Sequence, residues 1–213
     1  MCSRIRIWRI VFSLLAAVLL LRCDPHSNAF PREAASLNSP AISKAAAKNC
    51  AAKVKKLEEF SKRPSSGKSQ ITQFSEEEIN SYLDLDLSSK FSPSVKSLVI
   101  RLEEDGLRGN AMIDFDRLEI KSTEIATQLF AFMLSGVHEL MARGKFPVKN
   151  GKGNFQLEEA QYDGIRLPIT LVKEIITIIG RKQKPPFDPM SPSEMIYRIQ
   201  RIDLHQGYLI VYQ

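Results

Sequence analysis

Few residues in this chain are of a type and spacing that could do chemistry. Histidine occurs at positions 26, 138 and 205 and cysteine at 2, 23 and 50. None of them falls in the paired-cysteine or His-x-Glu-x-x-His spacing that would hold a metal, and no Gly-x-Ser-x-Gly elbow presents a nucleophilic serine. Ser65-Ser66-Gly67-Lys68-Ser69 matches the end of a phosphate-binding loop. Lys62 stands where that loop needs its first glycine and no apolar strand leads into it, so the segment reads as a soluble linker. Asp84 with Asp86 and Asp114 with Asp116 are i, i+2 pairs, which in a strand put both carboxylates on one face; solvation of an outer sheet face explains them more simply than acid–base work. Cys50 lies at helical spacing with Val54 and Leu57, which makes it a small buried apolar residue rather than a nucleophile. The chain is read as non-enzymatic, with no cofactor and no metal.

Charge is distributed unevenly along the chain, and this bears on partners. Of a net +6, residues 1–29 carry +3, residues 30–69 carry nine basic and three acidic side chains, and residues 70–213 carry 17 basic and 20 acidic ones. A body with a slight negative excess is not built to follow a phosphate backbone, so no nucleic acid is expected as a partner. Residues 1–9 hold three arginines and no acid, and residues 10–21 are twelve uncharged, mostly apolar positions. This is the pattern of a secretory signal peptide, and twelve residues of helix span only about 18 Å of the roughly 30 Å of hydrocarbon. Ser27 and Ala29 put small side chains three residues and one residue before Phe30, which predicts cleavage after Ala29 and export to the periplasm or cell envelope. Lipidation on Cys23 is the rival reading, but Arg22 stands where a lipobox has a small residue.

Three regions follow: a signal peptide over 1–29, a basic helix with flexible linkers over 30–69, and an α+β body over 70–213. Residues 45–61 are alanine-rich, with Cys50, Val54 and Leu57 on one stripe and Lys48, Lys53, Lys55 and Lys56 around it. These four lysines are candidate membrane contacts; a helix packed on the body with a solvated lysine face is the alternative. In the body, Ser75 and Glu78 form a capping-box signature for a helix carrying Ile79, Tyr82, Leu83 and Leu87 and ending before Pro93. Leu98, Ile100 and Leu102, then Leu107, Ala111, Ile113 and Phe115, alternate with polar residues around an Asp105-Gly106 turn. A helix over 122–142, a hairpin over 146–162 turned at 150–153, a helix over 169–180 opened by Pro168, and a last hairpin with strands over 196–204 and 208–212 turned at 205–207 complete the reading. The expected fold is a curved antiparallel sheet of hairpins packed against about three amphipathic helices, with the basic helix in front.

Two of those expected helices carry more apolar surface than a sheet can cover. Residues 125–137 contain no charged side chain, and residues 169–180 contain only Lys173 and Glu174. Ile125, Leu129, Phe132, Met133 and Val137 from the first, with Leu171, Ile175 and Ile179 from the second, are the candidate lining of an apolar groove. An acyl chain, a second subunit in a homodimer, or the two helices packed on each other would all satisfy it.

The run Ser75-Glu76-Glu77-Glu78-Ile79-Asn80-Ser81-Tyr82-Leu83, an alternating strand pair, and Tyr162-Asp163-Gly164-Ile165-Arg166-Leu167-Pro168 opening an apolar segment carry a resemblance. On these residues the 70–213 body resembles uncharacterised exported bacterial proteins that are similar in turn to LmeA-like and other TULIP-like lipid-binding proteins. The resemblance implies repeats of a helix on a curved antiparallel sheet, and non-catalytic binding of a phospholipid or other acyl chain, or a role at a membrane surface. It carries over no catalytic residue.

Overall fold

The structure, a computed structural model, describes residues 40–62, 69–91, 93–117, 135–170, 172–173, 188 and 190–213. Helix α1 spans Lys44–Ser61 and begins where Ser43 accepts a hydrogen bond from the Ala46 amide. Its buried stripe is Ala47, Cys50, Val54 and Leu57, spaced at three and four residues, and it joins the same core as the body. Strand β1, Ile71–Ser75, runs straight into helix α2, Glu76–Tyr82. The capping box is complete: the Glu78 amide donates to Ser75 Oγ at 3.1 Å, and the Ser75 amide donates to Glu78 Oε2 at 2.9 Å. Three glutamates in the first turn face the positive end of the helix dipole. The helix loosens into a π turn over Leu83–Leu87 and a 3-10 turn over Ser88–Lys90, with Leu83 and Leu87 fully buried.

The remaining strands are β2 Val95–Glu103, β3 Gly106–Asp114, β4 Val137–Lys145, β5 Val148–Lys149, β6 Lys152–Gly153, β7 Gln156–Tyr162, β8 Ile165–Arg166, β9 Ser193–Glu194, β10 Arg201–His205 and β11 Tyr208–Tyr212. Among the described residues they form two antiparallel sheets, one of six strands ordered β1-β11-β10-β5-β6-β9 and one of five ordered β2-β3-β4-β7-β8. The α+β class is therefore observed, with two helices among the described residues rather than about three. Residues 169–170 and 172–173 are helical as well, and the Val172 amide donates to the Pro168 carbonyl.

One bent hairpin links the sheets. Strands β4 and β7 pair in the five-stranded sheet, while their extensions β5 and β6 pair around Asn150-Gly151 in the six-stranded one. Asn150 and Gly151 both have positive φ, as this tight turn requires. The bend is filled by Phe146 and Phe155, both buried. The hairpin expected over 146–162 is thus longer, starting at Val137, and divided between two sheets.

The helix expected over 122–142 is overturned at its C-terminal end, where β4 runs from Val137 to Lys145. Gly136, at φ +88°, breaks any helical path into it. His138, Leu140, Ala142 and Gly144 then face the core, opposite Ile113, Ala111, Gly109 and Leu107. That is a period of two which the adjacent apolar pair Leu140-Met141 disguises. A smaller correction concerns the first hairpin, whose loop is Glu104-Asp105 and not Asp105-Gly106. Gly106 is paired with Glu103 in the sheet, where a side chain would stand 3.2 Å from the Gly144 carbonyl oxygen, and Asp105 takes the positive φ of the turn. The aspartate pairs do not share strand faces either: Asp84 and Asp86 lie in the π turn, and Asp116 lies in a 3-10 turn, Phe115–Arg117.

The last hairpin forms, but its first strand is shorter than the expected 196–204: Ile196–Arg198 is a 3-10 turn with Tyr197 and Arg198 at positive φ, β10 starts at Arg201, and the loop to β11 is Gln206-Gly207 alone. Its tip locks onto the first hairpin, with the Asp105 amide donating to the Leu204 carbonyl and the Gly207 amide to the Leu102 carbonyl. The outer edge of β2 is closed by α2. The Leu102 amide donates to Glu76 Oε2, and Asn80 bonds both backbone groups of Ile100. Side chains thereby occupy polar groups that would otherwise offer a pairing edge.

Candidate functional site

The inner face of the five-stranded sheet changes character along its length. At the end near the β2–β3 turn, Leu102, Leu107, Ala142 and Leu157 are buried. At the opposite end, Phe115, His138, Leu140 and Tyr162 are only partly covered, and Ile165 is 69% exposed. Register explains the gathering: Tyr162 lies across from Leu140 on one side and Ile165 on the other, and His138 lies across from Ile113. Leu167 and Ile169 pack against the same core just beyond β8.

Aromatic rings and one ion pair organise this end. The His138 ring stacks on Tyr162 with centroids 4.8 Å apart, and Phe115 meets Tyr162 edge-on at 5.6 Å. His138 Nδ1 lies 2.5 Å from Asp163 Oδ2, and Nε2 lies 2.6 Å from the Ser135 carbonyl oxygen. Asp163 sits in the Asp163-Gly164 turn, where both residues have positive φ, and its Oδ1 accepts the Glu139 amide at 2.9 Å. The bond to Asp163, reinforced by the Ser135 carbonyl, raises the His138 pKa above its ordinary value. The bond to His138, with help from the Glu139 amide, lowers that of Asp163. With both ring nitrogens directed at oxygen, His138 has no free lone pair with which to act as a general base.

Other chemically capable groups are tied up. Cys50 is buried, and desolvation pushes its thiol up to about 12, so the nucleophilic thiolate is suppressed. Asp114 accepts from Lys96 and Arg117, each at 3.1 Å. A shallow cavity of about 270 Å³ on the outer face of the five-stranded sheet is lined by Arg108, Asn110, Glu139, Met141, Glu159, Gln161 and Gly164. Its polar groups are engaged: Asn110 donates to Glu139 at 2.6 Å, Gln161 to Glu159 at 2.8 Å, and Arg108 pairs with Glu103 at 2.8 Å. Among the described residues no group of three or more His, Cys, Asp or Glu side chains could hold a metal ion, and no helix is long and apolar enough to cross a membrane.

Of the residues singled out from sequence, Val137 opens β4 and is 48% exposed, at the same end of the sheet as Ile165. Ile125, Leu129, Phe132, Met133, Leu171, Ile175 and Ile179 lie outside the described residues, as do Cys23 and Ala29. Lys48, Lys55 and Lys56 are exposed on α1. Lys53 turns to the body, donating to both oxygens of Glu78 at 2.6 Å. The His138–Asp163 pair escaped sequence reasoning because 25 residues separate its members. The one local signal was Asp163-Gly164, a hairpin-turn dipeptide. Comparison with protein-family models, with curated proteins and with solved structures gives no match to this chain.

Proposed function

We propose that this is an exported, non-enzymatic envelope protein that binds an acyl chain or a membrane surface through apolar groups at the open end of the five-stranded sheet. The observation that carries the reading is where the sheet attaches its two apolar runs. In sequence, the uncharged stretch 125–137 ends at the first residue of β4, and the apolar stretch 169–180 follows β8 by three residues. The inner face is least covered at that same end. Burying hydrocarbon there contributes about 25 cal/mol per Å², so a chain contacting roughly 300 Å² would supply several kcal/mol before ordering costs. Lys48, Lys55 and Lys56 on α1 add attraction to anionic headgroups that salt screens.

The test uses vesicles of anionic phospholipid and residues exposed enough to change without unfolding the protein. Ile165→Asp puts a carboxylate on the inner face, where hydrocarbon would lie. A penalty above about 1.4 kcal/mol weakens lipid uptake by at least about tenfold. Leu129→Asp with Met133→Asp tests the first apolar run in the same assay. Unchanged uptake by both folded variants would place the groove elsewhere and defeat the reading.

A further inference from the structure

The position of His138 raises a question that lipid binding does not answer: which protonation state can occupy this site. Nδ1 faces the Asp163 carboxylate at 2.5 Å and Nε2 faces the Ser135 carbonyl at 2.6 Å. Both partners are acceptors. A neutral imidazole has one N–H, so either tautomer would set a ring lone pair against an oxygen lone pair at hydrogen-bond distance. Only the imidazolium, with two N–H donors, satisfies both contacts at once.

The charges around the ring agree. Asp163 faces it from the β7–β8 turn, and Asp116 adds negative potential from the 3-10 turn after β3. Tyr162 of β7, on which the ring stacks, has its own pKa raised by desolvation and then by Asp163, so it is neutral. Glu139, next in β4, contributes its amide to Asp163 and its side chain to Asn110. Asp114 is occupied by Lys96 and Arg117, the nearby cations of β2 and the 3-10 turn.

We propose that His138 is a proton-held clasp, joining the start of β4 to the β7–β8 turn while it carries two protons and releasing that end of the sheet when it loses one to water. The joined parts are distinct in the chain: Ser135 and Gly136 lead into β4, and Asp163 caps the turn 25 residues later. The clasp exists where Asp163 is ionised and His138 is protonated. Asp163, with its folded pKa lowered, contributes stability that is present above the ordinary carboxylate range and lost as pH falls through the folded value. His138, with its folded pKa raised, contributes stability that is complete below about 6.5 and lost as pH rises through the folded value. The inference concerns coupling within the sheet and does not depend on a lipid ligand.

The experiment is an NMR titration of the histidine ring protons in protein purified after expression of the full-length chain, with His138 assigned by loss of its signal in His138→Gln. His138 is expected to titrate above about 6.5. In Asp163→Asn, which keeps an acceptor oxygen but not the charge, the midpoint falls back toward or below that value. Thermal midpoints measured alongside should drop between pH 6 and pH 9 for the parent and lose that dependence in Asp163→Asn. A parent His138 midpoint at or below the ordinary value, or the same pH dependence of stability in both proteins, overturns the clasp. Lipid uptake is not read, so failure here is separable from failure of the proposed function.

Discussion

Asn80→Ala is expected to destabilise the protein by about 3–5 kcal/mol, measured as a shift in urea unfolding with an unchanged slope. Asn80 is 1% exposed, and its side chain is a bracket between α2 and β2. Its Oδ1 accepts the Ile100 amide at 2.7 Å, and its Nδ2 donates to the Ile100 carbonyl at 2.8 Å and the Glu76 carbonyl at 2.9 Å. Alanine would leave both backbone groups of Ile100 unpaired on the covered edge of β2, each costing about 1–3 kcal/mol, besides the void left by the lost amide. Ile71, 65% exposed on β1, makes the control, because Ile71→Thr should change stability by less than about 0.5 kcal/mol. A loss below about 1 kcal/mol for Asn80→Ala would mean that the edge of β2 is not held by α2.

Gly144→Ala should cost about 3 kcal/mol, for a different reason. Gly144 lies where the pairing of β4 with β7 shifts register, just before the chain bends into the other sheet. A methyl group there would fall inside the contact distance of the Gln156 carbonyl oxygen and 2.9 Å from Phe155 Cζ. Neither neighbour can move away freely, since Phe155 is buried and Gln156 is paired to Lys145. Gly164→Ala is the informative comparison. That glycine has φ +78° but nothing within 4 Å, so alanine there meets only backbone strain of about 1–2 kcal/mol. Gly164→Ala being the more damaging of the two would contradict the bent hairpin.

These two positions also mark how far the sequence could be read. The hairpins 95–114 and 201–212 were legible because one face of each is buried, which imposes strict alternation, and because Gly207 and Asp105 supply the turns. The α2 start was legible because a capping box is a local device. The stretch 137–145 was misread because Leu140 and Met141 are neighbours, only one of them facing the core, while nearby apolar residues suggested a helical period. The division of one hairpin between two sheets left no mark in periodicity, since Phe146 and Phe155 are apolar under either arrangement. The contacts of Asn80 and the His138–Asp163 pair depend on register between distant segments, which composition and spacing do not encode.

The central claim, that the apolar surplus serves lipid, is tested most directly by native mass spectrometry of the protein purified from cells expressing the full-length chain, with lipid extraction of the same sample. The account predicts one lipid bound per chain, released on extraction as an acyl-chain species and lost in Ile165→Asp and in Leu129→Asp with Met133→Asp. A lipid-free monomer that takes up none from vesicles, or a lipid-free dimer burying these residues between subunits, would contradict it.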